Sequence, residues 1–410
     1  MSEEKITSPN KEALSRLTRA VKWSPGKFSL ILARCDYAGL RAQIIEQLHE
    51  VCPVQIQEIT IPPWERSLHR AISGEITDNM PDAVMILGLE SSADPDAILK
   101  GANHVRGKFA KDFPFPMILW VTDPVMTKLI RSVTDFYSWA GTSLRFVPSD
   151  AELSDALQQN ADDMFNEILG KREIGLSEEN RFLADLSDPQ EFEIFLKDLE
   201  ALSPPASRPS PHLQFLRGRN ARNKGDTESA MKDYKACLSF WKEKNDPERE
   251  AVLLYLIGQC CGKDDPEGAK TCFQDCIQAA GECQELAAKC LCELCGVFKE
   301  QEDWEEMEKT AEEALKVNQS CDNRQAECLQ CHLFLAEAVL HRDALEKAEI
   351  SVQHVLNALY LWENEDDRPV LGQASDILER VSQKKDETLW HSGINCIEHI
   401  KKHGIVFRQA

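Results

Sequence analysis

Three cysteines stand within six residues of this sequence, at Cys290, Cys292 and Cys295, and the stretch CLQCH runs from Cys328 to His332. Thiolates and imidazoles bind zinc and iron–sulfur clusters in proteins. A structural zinc site needs four ligands, and its C-x2-C pair usually stands on a turn. Both groups here lie within helical periodicity. We therefore expect packed thiols and no metal, with a metal site and redox sensing as the two alternatives.

The composition indicates the compartment in which these thiols lie. The sequence begins MSEEKITSPNK, which lacks the apolar core of a secretion signal, and no apolar run approaches the roughly 18 residues of a membrane span. We expect a cytoplasmic protein whose 15 cysteines are reduced. With 47 basic and 69 acidic residues the net charge is -22, which repels nucleic acid and anionic membranes. Neither is expected as a partner.

Three acidic side chains follow apolar runs of strand length: Asp36, Glu90 and Asp123. At the carboxyl ends of parallel strands, such residues are candidates to bind a nucleotide or a small effector. The loop after the first run, ARCDYAGLRAQ, lacks the lysine, the hydroxyl and most of the glycines of a phosphate-binding loop. We therefore expect no cofactor and a structural role for each acid. Asp123, just before Pro124, is predicted to be a helix N-cap.

The elements that position these acids alternate between strand and helix from Phe28 to Ser149. Amphipathic stretches with helical spacing separate five short apolar runs, FSLILARC, VQIQEITI, DAVMILGLE, FPMILWVTD and SLRFVPS. This alternation forces parallel pairing with helices on both faces. We predict a doubly wound, five-stranded parallel sheet, followed by a helix over residues 151–170.

A proline-rich stretch, ALSPPASRPSPH, marks a change of organisation, with four prolines between Pro204 and Pro211. After it the strand pattern gives way to helical periodicity. We predict an α/β domain over residues 1–170, similar to flavodoxin-like or P-loop folds but without the phosphate loop. An acidic helical segment and linker over 171–211 and a helical domain over 212–410 complete the prediction.

The helical domain resembles a tetratricopeptide repeat (TPR) protein. The stretch FLRGRNARNKGDTESAMKDYKACLSF has the small and large residues of that repeat at Gly218, Ala230 and Tyr234, and related stretches follow it. The small or apolar residue after each turn recurs at intervals of 39, 38 and 41 residues, at Ala230, Ala269, Met307 and Ala348. The resemblance implies an α-solenoid of stacked helix pairs that binds proteins.

The same register accounts for most cysteines, because eleven of the fifteen lie between Cys260 and Cys331, inside the repeats. Cys237 and Cys276 fall where the repeat has alanine, and Cys295 falls at the position that Gly218 has in the first repeat. A thiol is small and weakly polar, which suits a close contact between helices.

In a TPR superhelix the first helices of successive pairs line a concave groove. The register places seven side chains there: Arg219, Arg222, Asn223, Gln259, Lys299, Glu337 and His341. We predict that this groove binds a protein segment and that Arg219 and Arg222, three apart on one helix face, recognise its charge. The alternative is that these arginines pair with acids of the preceding stretch, SEENRFLADLSDPQEFEIFLKDLEAL.

The α/β domain resembles the N-terminal region of large bacterial TPR proteins related to STAND signalling ATPases. The resemblance lies in Leu119-Trp120, Asp123 and the stretch from Asp135 to Trp139. It implies a regulatory component of a bacterial signalling or defence system, here without the ATPase module, since the linker leads directly to the repeats. We predict a non-enzymatic adaptor with protein partners at both domains. The alternative is a sensor or enzyme that binds a nucleotide or effector through the three acids.

Overall fold

A computed structural model describes residues 8–24, 26–76, 80–171, 188–202, 209–262, 264–281, 283–319 and 325–342, together with isolated positions between 351 and 380. The chain divides into two compact units. The first contains the described residues within 1–159 and 175–207, and the second contains those within 160–174 and 208–410. Ala348 of the predicted repeat register lies outside the described residues.

The first unit is built around a five-stranded parallel sheet with the order β2-β3-β4-β1-β5. Its strands are β1 (Ser29–Arg34), β2 (Ile56–Thr60), β3 (Ala83–Leu87), β4 (Pro116–Val121) and β5 (Ala140–Arg145). Every residue of β4 is buried, as expected for a central strand covered on both faces. The predicted parallel sheet is confirmed. In the flavodoxin order β1 lies between β2 and β3, whereas here it lies between β4 and β5.

Nine helices of the described chain accompany the sheet. They are α1 (Ser8–Lys22), α2 (Ala38–Val51), α3 (Leu68–Glu75), α4 (Pro95–His104), α5 (Arg106–Asp112), α6 (Asp123–Ser132), α7 (Thr134–Tyr137), α8 (Asp150–Leu169) and α9 (Pro189–Leu202). One buried apolar cluster joins alternate strand residues, such as Leu30, Val84 and Leu119, to side chains of α3 to α7. The period of two in the strands thus gives one face of the sheet its core.

Two elements of this unit differ from the sequence prediction. Helix α1 was not predicted; the Asn10 side chain holds it by donating to the Val147 carbonyl (2.8 Å) and accepting from the Val147 amide (3.1 Å). Strand β5 begins at Ala140, three residues before the predicted run. Its residues are mostly half-buried or exposed, because it is an edge strand, so its first half lacks an apolar run.

The second unit continues with seven helices among the described residues from 209 to 342. They are α10 (Pro211–Asn223), α11 (Thr227–Lys244), α12 (Pro247–Cys261), α13 (Pro266–Ala280), α14 (Gln284–Glu300), α15 (Trp304–Gln319) and α16 (Gln325–Arg342). Side chains of Ser210, Asp226, Asp246 and Asp265 accept a hydrogen bond from the first turn of the helix that each precedes. Consecutive helices pack on each other, and their short connections make them antiparallel.

Small residues bring the two helices of each pair together. A Cβ atom added at Gly218 would lie 2.6 Å from the Tyr234 ring, and one at Gly258 would lie 2.7 Å from the Phe273 ring. Ala230, Ala269 and Met307, the residues of the predicted register, are completely buried. The predicted combination of an α/β sheet with a TPR-like α-solenoid is confirmed.

The second half of α8, from residue 160, belongs to the second unit and covers its first helix pair. The rings of Phe165 and Phe215 stack with centroids 4.0 Å apart. The Arg249 guanidinium pairs with Asp162 and with Asp246, each at 2.6 Å, and lies 4.5 Å from the Trp241 ring centroid. Apolar stacking and a shared cation therefore fix this part of α8 to the solenoid.

Candidate functional site

The carboxyl edge of the sheet is the first candidate site. The connection from β1 to β2 crosses β4 and β3, whereas the connection from β4 to β5 crosses β1 in the opposite direction. The two connections therefore lie on opposite faces of the sheet. Asp36 and Asp123 meet at this point: Asp36 Oδ1 accepts a hydrogen bond of 2.5 Å from the Asp123 amide. Arg34 Nε lies 2.8 Å from Asp123 Oδ1, and Arg145 pairs with Asp123 at 3.3 Å.

This geometry corrects the predicted role of Asp123. Helix α6 begins at Asp123, so Thr122 is its N-cap residue, and the Thr122 side chain makes no capping bond. Asp36, 87 residues earlier in the chain, accepts from the Asp123 amide instead. The predicted capping chemistry is present, but a distant loop supplies the carboxylate.

The pKa of Asp36 is raised to about 6, mainly by burial and also by the neighbouring charge of Asp123. The Asp123 amide, Arg145 and Arg34 act in the opposite direction and lower it. An acid whose pKa is higher in the folded state than in the unfolded chain stabilises the fold at low pH. That stabilisation is lost as the pH rises through about 6. At neutral pH the ionised Asp36 therefore costs folding free energy, although it still caps α6.

We expect Asp36→Asn to stabilise the first unit by about 1–2 kcal/mol at pH 8, because its amide oxygen still accepts from Asp123 but carries no charge to desolvate. The gain should be smaller at pH 5, where folded Asp36 is protonated, and it should vanish only below the usual pKa of 3.8, where the carboxyl of the unfolded chain is protonated as well. Urea unfolding at both pH values measures it. A variant that is destabilised equally at both values would show that the carboxylate charge itself is needed.

The third acid of the edge, Glu90, forms an ion pair with Arg41 of α2 (2.5 Å). At the start of the same helix, the Ala38 amide donates to Glu191 Oε1 of α9 (3.1 Å), and the Tyr37 hydroxyl donates to Asp198 Oδ2 (2.5 Å). Sequence reasoning did not single out Glu191 or Asp198. The acidic character of their helix was the available signal.

A phosphate bound at the first βα loop would use the amides at the start of α2. One of those amides, that of Ala38, already has a carboxylate partner in Glu191. The three acids pair with arginines and a backbone amide within the unit. This arrangement favours the structural role that the missing phosphate loop predicts.

The repeat cysteines pack as predicted: Cys237, Cys276 and Cys295 are completely buried. Cys290 and Cys292 face different helices, since Cys290 Sγ lies 3.1 Å from Cys276 Sγ of α13 and Cys292 Sγ lies 3.3 Å from Cys331 Sγ of α16. Among the described residues, no group of three or more His, Cys, Asp or Glu side chains is placed to hold a metal ion.

Burial also makes these thiols poor nucleophiles. It is the main cause that raises the pKa of Cys295 well above its usual value, and it raises the pKa of Cys272 to about 11. For Cys290, the hydrogen bond to Cys276 and burial both raise the pKa. Because the thiolate is the reactive form, these side chains suit packing better than redox chemistry.

The helical unit brings the predicted groove residues into two polar clusters. In the first cluster, Gln259 Nε2 of α12 donates to Glu293 Oε1 of α14 (2.5 Å) and to the Tyr255 hydroxyl (2.8 Å). Tyr255 and Glu293 were not singled out from the sequence. The spacing of Tyr255 and Gln259, four residues apart on one helix, was the signal that could have identified the tyrosine.

The second cluster links α14 to α16. Lys299 Nζ lies 2.6 Å from Glu337 Oε2, and Arg380 pairs with Glu337 at 3.6 Å and contacts His341. The His341 ring stacks on Trp304 with centroids 3.8 Å apart. Lys299, Glu337 and His341, three predicted groove residues, thus share one network.

Arg219 and Arg222 lie on α10, and Asn223 beside them is exposed. Both arginines are half-buried, and neither makes a hydrogen bond or ion pair with any residue that the structure describes. Burial is the largest cause that raises the pKa values of Tyr234 and Tyr255. The charges of both arginines oppose it at Tyr234, and the charge of Arg222 opposes it at Tyr255 as well.

No protein-family model matches the sequence, and no curated protein matches it. Solved structures match at low similarity. A Rap protein complexed with competence and sporulation factor has 10% identity and a TM-score of 0.39, with 97% of this chain and 98% of that chain covered. BtubC from P. vanneervenii has 15% identity and a TM-score of 0.38, with 63% and 96% covered.

A putative kinesin light chain with TPR-like repeats from Podosopora anserina has 9% identity and a TM-score of 0.34, with 51% of this chain and 93% of that chain covered. These scores are too low to support an argument about function. None of the described helices combines the length and the apolar character needed to cross a membrane.

Proposed function

We propose that the chain is a non-enzymatic, cytoplasmic scaffold whose solenoid binds a protein segment along the first helices of successive pairs, α10, α12, α14 and α16. One observation carries the proposal. Side chains of these helices meet across neighbouring pairs, Gln259 with Glu293 and Lys299 with Glu337. Helices α12, α14 and α16 therefore share one face that is rich in hydrogen-bonding groups, the kind of surface through which solenoids bind partners, and the repeat register extends this face to α10.

The first unit acts in this proposal as a second docking module. The amide of Ala38 at the first βα loop is taken by Glu191, which supports protein binding over the alternative of a nucleotide- or effector-binding enzyme. The resemblance of its sequence to N-terminal regions of STAND-related proteins supports a regulatory role in bacterial signalling or defence. The scaffold would hold one partner at each unit.

Site-specific photocrosslinking in the native host tests the groove. A benzophenone amino acid replaces Asn223, which is exposed on α10, and in a matched control it replaces Ser239, which is exposed on α11. We expect protein adducts from position 223 at several times the yield from position 239, because only α10 belongs to the proposed binding face. Equal yields, or no adduct at position 223, would contradict binding along this face.

A further inference from the structure

The cations of the proposed groove differ in whether they already have a partner. Lys299 and Arg380 both pair with Glu337. Arg219 and Arg222 make no such pair within the described part of the chain, although the whole chain carries 69 acidic residues against 47 basic ones. A guanidinium group presents a planar set of donors that matches a carboxylate. Two such groups, three residues apart on one helix face, form a site for anionic side chains.

A buried polar side chain packs against Gly218, the residue beside Arg219. Tyr234 of α11 is completely buried, and its hydroxyl has no hydrogen-bond partner among the described residues. The ring reaches this position by passing Gly218, where a Cβ atom would lie 2.6 Å away. Arg219 and Arg222 both act electrostatically on this hydroxyl. Unpartnered buried hydroxyls are uncommon, and here it means that neither guanidinium group donates to Tyr234, which leaves their donors for a partner segment.

The charges further along the groove limit the kind of anion. Glu337 already pairs with two cations, Lys299 and Arg380. Glu293 of α14 is instead held by the neutral side chains of Gln259 and Tyr255 and keeps its negative charge. A long polyanion such as nucleic acid would continue from the arginines onto Glu293, and the net charge of -22 would repel it as well. A protein segment with a short acidic stretch, followed by neutral or basic residues, fits both ends of the groove.

We infer that Arg219 and Arg222 form a carboxylate-binding pocket that recognises a short run of Asp or Glu side chains in a partner segment. This inference rests on the proposed function, since it names the chemistry of a segment bound in that groove. The segment places its acids on α10 and its neutral or basic part against Glu293. The pocket therefore sets the direction in which the segment lies along the solenoid.

Peptide selection tests this chemistry and requires no known partner. Short random peptides displayed on phage are selected against the immobilised full chain, against the double variant Arg219→Glu with Arg222→Glu, and against a control, Lys224→Glu, at the residue that caps the C-terminus of α10. We expect clustered Asp and Glu at one end of the peptides selected by the parent and the control. We expect Lys and Arg there for the double variant, because the charge of the pocket is reversed.

A synthetic copy of the most enriched acidic peptide should bind the double variant Arg219→Gln with Arg222→Gln about 100-fold more weakly than it binds the parent. Selected peptides without acidic bias would overturn the pocket but leave groove binding intact, whereas failure to select any peptide would count against both. A lower melting temperature of the glutamine variant with unchanged peptide affinity would also overturn the pocket. The arginines would then serve to hold acids of this same chain.

Discussion

A Gly258→Val chain is expected to lose about 3 kcal/mol of folding free energy, the largest effect of a single substitution anticipated for the solenoid. The Cβ atom of valine would lie 2.7 Å from one ring carbon of Phe273 and 2.9 Å from two others. Phe273 is only 2% exposed, so its ring has no space into which to move. Overpacking of this kind typically costs about 1–3 kcal/mol, and the two methyl groups of valine crowd the Phe273 ring further, which outweighs the small gain in helix propensity over glycine.

Gly296 provides the matched control, because it also lies inside a helix of the same unit. A Cβ atom there meets no atom within 4 Å. Gly296→Ala should therefore stabilise the unit by about 0.5–1 kcal/mol through helix propensity alone. Urea unfolding followed by circular dichroism measures both variants. A Gly258→Val chain as stable as the parent would show that α12 and α13 are not in the close contact described.

An Arg249→Met chain is expected to lose about 2 kcal/mol at pH 8. The substitution keeps most of the apolar stem but removes the charge that pairs with Asp162 and Asp246 and lies over the Trp241 ring. Cation–π contacts contribute about 0.5–2 kcal/mol, and a carboxylate left half-buried without its cation adds a penalty. Because the Arg249 and Asp162 side chains are still 29% and 30% exposed, the loss stays below that of a fully buried pair.

The loss of folding free energy in the Arg249→Met chain should depend on pH because of His212. Its Nε2 lies 3.7 Å from Asp162, and its pKa is lowered by burial and by Arg249, against Asp162, which raises it. Removal of Arg249 raises the pKa of His212, so the protonated imidazole replaces part of the lost cation as the pH falls. The loss should be smaller at pH 6 than at pH 8.

Denaturant unfolding at the two pH values measures the effect, and NMR titration of the histidine ring measures the pKa directly. Lys242→Met is the control, because Lys242 pairs with Glu250 at 3.4 Å on a half-exposed surface, and its loss should be within about 0.5 kcal/mol at both pH values. An Arg249→Met chain whose loss is the same at pH 6 and pH 8 would exclude compensation by His212.

Local periodicity was sufficient to predict the sheet and the helix pairs. The apolar run of β4 and the spacing of Gly218, Ala230 and Tyr234 reflect contacts between neighbours in the same element or in adjacent ones. Helix α1 was missed although Leu14, Leu17 and Val21 recur at helical spacing and are buried. Only its place was beyond local pattern, because it depends on Asn10 bonding to Val147, 137 residues away. A contact at that separation leaves no pattern in a single sequence.

The same distinction explains the candidate sites. The register predicted Lys299, Glu337 and His341 on one face, and the structure joins them in one network, since a repeat fixes which helix positions meet. The register could not predict that Lys299 already forms an ion pair with Glu337. The role of Glu191 at the first βα loop depends on how α9 returns to the sheet, and composition alone identified only an acidic helix there.

That return of α9 has a consequence for synthesis on the ribosome. The chain leaves the first unit after residue 159 and supplies α9 to it only later, with Pro189–Leu202. At the usual speed of translation, residues 160–202 take roughly 2 to 9 s to be made. Throughout that interval the sheet can have formed, but the Ala38 amide and the Tyr37 hydroxyl lack Glu191 and Asp198. A nascent chain halted before α9 should therefore expose this edge to chaperones, whereas one halted after residue 202 should not.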